Sequence, residues 1–151
     1  MLNGVERQIR DGKLTIPGGA RTLRRRVAVV IGNSAYAHVP RLDNPRNDAN
    51  AMGALMKRNG FEVVKGLNVS RLGFERLLRE AVLAGGPGAD IIAFYAGHGF
   101  QIGSKNYLVP VNAKLTGAND LPFQTVRLRT LLKIMKDRNG RNLSFLDSCR
   151  N

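Results

Sequence analysis

Two residues of this sequence carry side chains that could perform nucleophilic catalysis together. His98 lies between two glycines directly after an apolar run, and Cys149, the only cysteine, follows a second apolar run near the end of the sequence. Cysteine attacks efficiently as a thiolate, and a neighbouring imidazole can take up its proton. The residue types therefore indicate a Cys–His catalytic pair, provided that the fold brings the two residues together.

Each of these residues also has an ordinary structural explanation. A lone histidine after a strand is often only a hydrogen-bonded side chain, and a lone cysteine is most often a small buried apolar residue. Metal binding is a poorer interpretation, because Cys149 and the two histidines, His38 and His98, lie far apart and show no ligand spacing. We therefore expect no metal ion and no other cofactor.

The surrounding sequence predicts the parallel strands that would position the pair. Continuous apolar runs rich in β-branched residues are typical of strands buried on both faces, and an alternating run is typical of a half-buried strand. The predicted strands cover residues 27–32, 61–67, 90–96 and 142–148. Because His98 follows the third of these strands and Cys149 the last, both residues should lie at the carboxyl edge of one sheet.

Predicted helices alternate with these strands. The first covers residues 45–59, and the second has Ser70 as its N-cap and ends at a Gly-Gly-Pro sequence. A basic amphipathic helix is predicted over residues 125–138, and residues 106–111 are predicted to form a hairpin arm or an edge strand. This alternation predicts an α/β sandwich with a mostly parallel sheet.

The composition is that of a soluble globular domain. The 151 residues are 43% hydrophobic and 23% charged, which is enough apolar material to bury a core. No apolar run reaches the roughly 18 residues of a membrane-spanning helix. The N-terminus lacks the apolar stretch of a secretory signal, and a single cysteine needs no oxidising compartment. We therefore expect a cytoplasmic protein without a membrane partner.

The formal net charge of +13 is unevenly placed. Residues 1–26 hold seven basic and two acidic residues and show no sustained hydrophobic period, which predicts a basic flexible leader or linker. Residues 27–151 form the predicted folded domain. Their basic residues are scattered and lack the interleaved aromatic residues that stack on bases, so we expect no nucleic-acid partner.

Four blocks of the sequence resemble the caspase and metacaspase superfamily of cysteine peptidases, and above all its bacterial members, the orthocaspases. In that family one apolar strand ends in His-Gly and a later strand ends in Asp-x-Cys. The blocks are VAVVIGNSAY, LDNPRNDANAM, FYAGHGFQ with NYLVPV, and FLDSCRN. The resemblance covers residues 27–151. It implies a caspase-like catalytic (large-subunit) domain with a three-layer α/β/α fold, incomplete at its C-terminus.

The resemblance also implies a role for each residue of the site. Cys149 would attack the scissile carbonyl and form an acyl-enzyme, while His98 would donate a proton to the leaving amine and later activate water. The backbone amides of Gly99 and Cys149 would form the oxyanion hole. No third carboxylate is demanded, and calcium dependence would be possible by family analogy, although no residue pattern points to a calcium site.

Metacaspases hold a substrate Arg or Lys with acidic side chains, and two acids here lie at the resembling positions. These are Asp48 and Asp147, two residues before the cysteine. A buried pair of carboxylates would give a guanidinium a bidentate partner. The ordinary alternative for Asp48 is an acid in the first turn of a helix, where it suits the helix dipole. The resemblance thus implies cleavage after Arg or Lys.

Two other interpretations compete with that of an active peptidase. The family normally continues past Cys-Arg-Asn with a small-subunit portion, which would be a partner of this domain besides the protein or peptide substrates. The alternative function is therefore a catalytically incompetent, truncated caspase-like module that binds peptides or partner proteins. A signalling receiver domain is disfavoured, because the required acids do not follow the first and third strands.

Overall fold

The computed structural model describes residues 24–137 and 140–148. Within them, strands and helices alternate along the chain, with a short antiparallel insertion after the third strand. The strands are β1 (Arg26–Gly32), β2 (Glu62–Leu67), β3 (Asp90–Ala96), β4 (Gly99–Ile102), β5 (Lys105–Leu108), β6 (Val126–Arg127) and β7 (Asn142–Asp147). The helices are α1 (Pro45–Arg58), α2 (Arg71–Gly85), α3 (Leu121–Gln124) and α4 (Leu128–Lys136), with a 3₁₀ turn at Ala118–Asp120.

The central sheet has the strand order β2-β1-β3-β7, and all its neighbouring strands are parallel. The inner strands β1 and β3 are almost fully buried, as their continuous apolar runs predict, whereas β7 lies at one edge with five of its six residues exposed. The predicted α/β architecture with a mostly parallel sheet is confirmed.

Helices cover both faces of this sheet and complete the predicted three layers. One face packs against α1 through Ala28, Val30, Ala49, Phe94 and Ala96. The other face carries the larger part of the core and packs against α2 and α4, through side chains that include Ile31, Phe74, Ile91, Leu131 and Met135. The sheet therefore has a small-residue face under one helix and a bulky face under two.

The first two helices begin and end as their sequences predict. Pro45 stands at the first turn of α1, where its missing N–H costs nothing. The Ser70 hydroxyl accepts a hydrogen bond from the Gly73 N–H (3.2 Å) and caps α2. Gly86 follows α2 with a φ of 68°, a left-handed conformation that glycine adopts without a steric penalty.

The structure differs from the sequence prediction over residues 125–138. Instead of one helix, α3 ends at Gln124, the Thr125 hydroxyl donates to the Leu121 carbonyl (2.6 Å), and β6 pairs with β5 before α4 begins at Leu128. The single-helix prediction was wrong here because strand pairing with β5 overrides the local helical period. The hairpin arm predicted at 106–111 is confirmed for residues 106–108, which lie in β5 and pair antiparallel with β4, whereas residues 109–111 follow the strand.

The predicted leader, residues 1–26, falls for its larger part outside the described residues. Its last residue, Arg26, is the first residue of β1, so the folded pattern begins one position earlier than predicted. In the part of the chain that the structure describes, no helix has the length and apolar character needed to cross a membrane.

Candidate active site

His98 follows β3 after a glycine that the local structure requires. Gly97 has a φ of 155°, and a Cβ at this position would come within 2.6 Å of the hydroxyl oxygens of both Tyr36 and Tyr95. Its N–H donates to the Asp147 carbonyl at the end of β7 (3.2 Å). Glycine therefore lets the chain turn over two tyrosines while it stays tied to the strand that leads to Cys149.

The imidazole of His98 is held by a main-chain acceptor. Its Nε2 atom lies 2.8 Å from the Pro40 carbonyl oxygen, in the loop between β1 and α1. Because a carbonyl only accepts, Nε2 must carry the proton, and in the neutral ring Nδ1 then keeps a free lone pair. The ring also packs against Tyr36, with 4.6 Å between ring centroids. The imidazole is thus half-buried with its basic nitrogen defined.

Two tyrosine hydroxyls fix the backbone of the same residue. The Tyr36 hydroxyl accepts from the His98 N–H (2.8 Å), and the Tyr95 hydroxyl donates to the His98 carbonyl (2.7 Å) and lies 3.1 Å from the Val109 carbonyl. Burial raises the pKa of Tyr36, and it raises the pKa of Tyr95 well above its ordinary value. Both hydroxyls therefore stay protonated.

The tyrosines were missed by reasoning from the sequence alone. The chain has only three tyrosines, and Tyr36 and Tyr95 lie close to the ends of β1 and β3, where an α/β protein collects its functional residues. Their position near these strand ends was the sequence feature that could have marked them as site residues. It does not by itself show that the hydroxyls bind the backbone of a histidine.

A buried asparagine organises the loops beneath this edge. Asn33 is fully buried directly after β1, its Oδ1 accepts from the Val69 N–H (2.7 Å), and its Nδ2 donates to the Val109 carbonyl (3.2 Å). Asn68, with a φ of 54°, accepts from the Ser34 N–H (3.0 Å) through its side chain. These bonds join the loops after β1, β2 and β5 into one platform.

Cys149 lies outside the described residues, so its predicted pairing with His98 stays a prediction. The chain leading to it is described as far as Ser148, and a Cβ built on Gly99 would come within 3.0 Å of the Ser148 hydroxyl oxygen. The residue before Cys149 therefore packs against the residue after His98. The oxyanion-hole assignment of Gly99 and Cys149 is likewise a prediction.

A small cavity of about 50 Å³ lies beside this contact, between the β4–β5 hairpin and the end of β7. Its walls include Gly99, Phe100, Tyr107 and Ser148, and Phe100 and Tyr107 stack with their centroids 5.3 Å apart. Among the described residues, no three His, Cys, Asp or Glu side chains are grouped as metal ligands would be.

Asp48 and Asp147 lie on the same face and the same edge of the sheet. In the parallel register Gly32 is opposite Ala96, and Ala96 is opposite Asp147, so the three share the face covered by α1. Asp48 is in the first turn of α1, which lies over Gly32. Since adjacent strands are about 4.8 Å apart, Asp147 is about 10 Å from β1 across the sheet.

The expected buried carboxylate pair is not what the structure has. Asp48 is half-buried, but Asp147 is exposed, because β7 is the edge strand of the described sheet and α1 does not extend over it. Neither side chain forms an ion pair or a hydrogen bond with the other residues in 24–137 and 140–148. Both carboxylates are thus open to an incoming cation.

The chain is similar to a known family and to proteins of human and mouse. A sequence model described as the caspase domain matches residues 25–151. The human mucosa-associated lymphoid tissue lymphoma translocation protein 1 is 29% identical over 126 residues, which are 83% of this chain and 15% of that protein. Its mouse homolog is 28% identical over 133 residues, 87% of this chain and 16% of that protein. The chain spans about a sixth of these relatives.

A solved bacterial structure has a similar fold. Protein GSU0716 from Geobacter sulfurreducens superposes with a TM-score of 0.66 at 20% identity, covering 83% of this chain and 50% of that chain. At that identity the likeness concerns the fold alone. The predicted caspase-like fold is confirmed by the family match and the layers described above. The bacterial orthocaspase branch stays a prediction, because the curated relatives are mammalian.

Proposed function

Because this chain belongs to the caspase family of peptidases, we propose that it is a cysteine endopeptidase that uses His98 and Cys149 and cleaves after Arg or Lys. The main support for the proposal is the hydrogen bond of the His98 ring. Nε2 donates to the Pro40 carbonyl, so Nδ1 is the nitrogen with a lone pair that can accept a proton. The contact of Ser148 with Gly99 supports a thiol close to that base.

The reaction would proceed in two halves with His98 carrying the proton between them. Nδ1 takes the thiol proton, and the Cys149 sulfur attacks the scissile carbonyl carbon while the amides of Gly99 and Cys149 stabilise the oxyanion. The imidazolium then protonates the leaving nitrogen as the C–N bond breaks. In the second half His98 takes a proton from water and the resulting hydroxide adds to the thioester carbonyl carbon. The C–S bond then breaks, the acid product leaves, and the imidazolium returns its proton to the Cys149 sulfur.

Pro40 has a defined part in this cycle. Its carbonyl binds the Nε2 proton both in neutral imidazole and in imidazolium, and a hydrogen bond to the charged form is the stronger of the two. The carbonyl therefore stabilises the imidazolium that forms when the thiol loses its proton. No side-chain carboxylate is needed for that role.

The proposed preference for Arg or Lys rests on Asp48 and Asp147. Both carboxylates lie at the carboxyl edge on the α1 face, and neither has a cationic partner among the described residues. A guanidinium between them would gain charge-assisted hydrogen bonds, while a substrate aspartate would meet like charges. This arrangement favours a basic residue before the cut.

The test is hydrolysis of two fluorogenic peptides that differ only in Arg or Asp immediately before the reporter group. We expect the Arg peptide to be cut faster, and Cys149→Ala and His98→Ala to abolish cleavage of both peptides. Asp147→Asn should lower kcat/KM for the Arg peptide by about tenfold or more, because a charge-assisted hydrogen bond is worth about 1.5–3 kcal/mol.

The matched control is Asp137→Asn, an exposed aspartate at the end of α4, which leads into the opposite end of β7. It should leave both rates unchanged. Faster cleavage of the Asp peptide would overturn the acidic-site assignment. Binding of the Arg peptide without cleavage, together with a Cys149 thiol that does not react with iodoacetamide, would instead identify the non-catalytic binding module.

A further inference from the structure

A cleft of about 750 Å³ opens on the α2–α4 face of the sheet. One wall is α2, and the other is formed by the segment from Pro122 to Ile134. This volume is in the range of sites that enclose ligands, roughly 300–1,000 Å³. None of its lining residues belongs to the candidate active site.

The cleft combines an apolar floor with a basic rim. Its floor is formed by Phe74, Leu78, Val82, Val126 and Ile134. Three arginines stand at the rim against one acid: Arg71 is 3.7 Å from Glu75, the Arg127 guanidinium lies 5.8 Å from the Tyr107 ring centroid, and Arg79 has no ionic partner among the described residues. The rim therefore has an excess of positive charge.

We propose that this cleft binds an acidic amphipathic peptide segment of a partner protein. Apolar side chains at helical spacing would lie on the floor, and carboxylates would reach Arg79 and Arg127 at the rim. An amphipathic helix laid into an apolar groove buries one face and keeps its charged positions at the edges, which is the pattern of this cleft.

Charge favours an acidic peptide over two other occupants, a second copy of this protein and its own residues 1–23. A second copy carries 24 basic and 11 acidic residues and would bring a basic surface to a basic rim. Residues 1–23 hold four basic and two acidic residues, a net of +2, so the leader is not complementary either. An acidic segment alone gains both the apolar contact and the ion pairs.

The probe is a fluorescein-labelled 14-residue peptide with Leu or Phe at positions i, i+3, i+4 and i+7 and Glu on its other face. Its binding is followed by anisotropy with the Cys149→Ala protein, so that cleavage cannot change the probe and the result does not depend on peptidase activity. We expect saturable binding that weakens with added salt. A second peptide with Gln for every Glu should bind at least about tenfold more weakly.

Two charge reversals on α2 separate the cleft from the general charge of the protein. Arg79→Glu, at the rim, should weaken binding roughly threefold to tenfold, because the reversal removes an exposed ion pair and adds a like-charge repulsion of similar size. Arg76→Glu is the matched control, because Arg76 is also exposed on α2 but does not line the cleft. It should change binding by less than about twofold.

Three outcomes would overturn the proposal. If the Gln peptide bound as tightly as the Glu peptide, charge would contribute nothing to recognition. If the two reversals weakened binding equally, only the overall charge of the protein would matter. A concentration-dependent dimer in sedimentation that Arg79→Glu alone dissolves would show that the cleft is an interface between copies. Matched thermal unfolding midpoints for both variants exclude a folding defect as the cause.

Discussion

At the scale of single residues, the histidine of the candidate site is defined by groups that carry no charge. The Pro40 carbonyl binds its ring, and the hydroxyls of Tyr36 and Tyr95 bind its backbone N–H and carbonyl. The imidazole orientation is therefore fixed by uncharged hydrogen-bonding groups.

Replacing Tyr36 by Phe tests the backbone clamp. The change leaves the partly buried His98 N–H without its acceptor, and an unsatisfied donor costs up to about 1–3 kcal/mol when it is fully buried. A misplaced imidazole slows mainly the proton transfers of the chemical step. We therefore expect kcat to fall about tenfold and KM to change less than about twofold. The measurement is steady-state hydrolysis of the Arg peptide across a pH series.

The control for this substitution is Tyr107→Phe, which removes a hydroxyl that makes no hydrogen bond with the described residues and keeps the ring that stacks on Phe100. It should leave kcat and the pH profile unchanged. If Tyr36→Phe raised KM without lowering kcat, the hydroxyl would contribute to substrate binding and not to positioning.

The position of His98 just after β3 could be predicted from the sequence, but the groups that hold it could not. His98 and Cys149 stand out because each follows an apolar run, and the resemblance to caspases adds Asp48 and Asp147. The atom that binds the imidazole is a main-chain oxygen, which has no sequence signature. Asp147 is exposed and not part of the expected buried pair, because β7 is the edge strand of the described sheet.

At the scale of secondary structure elements, β7 is the strand on which the site depends and the one with the least cover. It is the edge of the described sheet, and the large apolar side chains of Leu143, Phe145 and Leu146 are 51%, 42% and 39% exposed. An edge strand presents unpaired N–H and C=O groups to other chains. The small-subunit portion predicted from the resemblance would be one such partner, and that pairing stays a prediction.

We expect this edge to make the chain self-associate, and a lysine on it to suppress the association. Leu143→Lys places a charge on the exposed edge, a common way in which proteins prevent strand pairing. The measurement is sedimentation velocity at about 0.15 M salt, which screens repulsion between exposed charges more than about 8 Å apart. The wild type should form dimers or larger species, and the variant should be monomeric.

Leu83→Lys is the matched control, because Leu83 is 73% exposed but lies on α2 and not on a strand edge. It should leave the association unchanged. A wild-type chain that is monomeric at every concentration would contradict the prediction, and so would an equal effect of the two lysines, which would indicate solubility and not edge pairing.

Elements with strong local signals were predicted more accurately than those that depend on distant partners. The sequence correctly predicted four local features, namely β1, β3, the proline at the start of α1 and the Ser70 cap of α2. Residues 125–138 read as a helix because their apolar spacing is helical. Pairing of Val126 and Arg127 with β5 is a contact with residues almost twenty positions away, which a local pattern does not contain.

At the scale of the whole molecule, one buried carboxylate ties the residues that precede β1 and β7 to the start of β3. Asp90, at the start of β3, accepts from the Arg141 guanidinium through Oδ2 (2.6 Å) and from the Arg141 N–H through Oδ1 (3.1 Å), and Arg24 is 3.8 Å away. These bonds hold the start of β7 against β3. They lie at the amino edge of the sheet, opposite the candidate site.

This carboxylate predicts an acid-dependent loss of stability. Hydrogen bonding to Arg141 lowers the pKa of Asp90, so its contribution to the free energy of unfolding is complete above the unfolded-state pKa of about 3.9 and disappears as the pH falls through the lower folded-state value. Wild type should exceed Asp90→Asn in stability at pH 6, and the difference should shrink steadily between about pH 5 and pH 2.

Urea unfolding at each pH measures this difference. Asp137→Asn is the control, since that exposed side chain forms no hydrogen bond or ion pair with the described residues. Its effect on stability should not vary with pH in the same window. A difference between wild type and Asp90→Asn that stays constant from pH 6 to pH 2 would show that the ion pair contributes nothing.

The position of this ion pair has a consequence for kinetics. Asp90 and Arg141 secure one end of β7, while Asp147 and the approach to Cys149 are at the other. Weakening the ion pair would lower the fraction of time that the strand is docked, and under the proposed mechanism a molecule with an undocked strand would not cleave a substrate. Every substrate would then lose rate by the same factor. The ratio of the Arg and Asp peptide rates would stay constant, so that ratio reports on the acidic pair alone, whatever the stability of the variant in which it is measured.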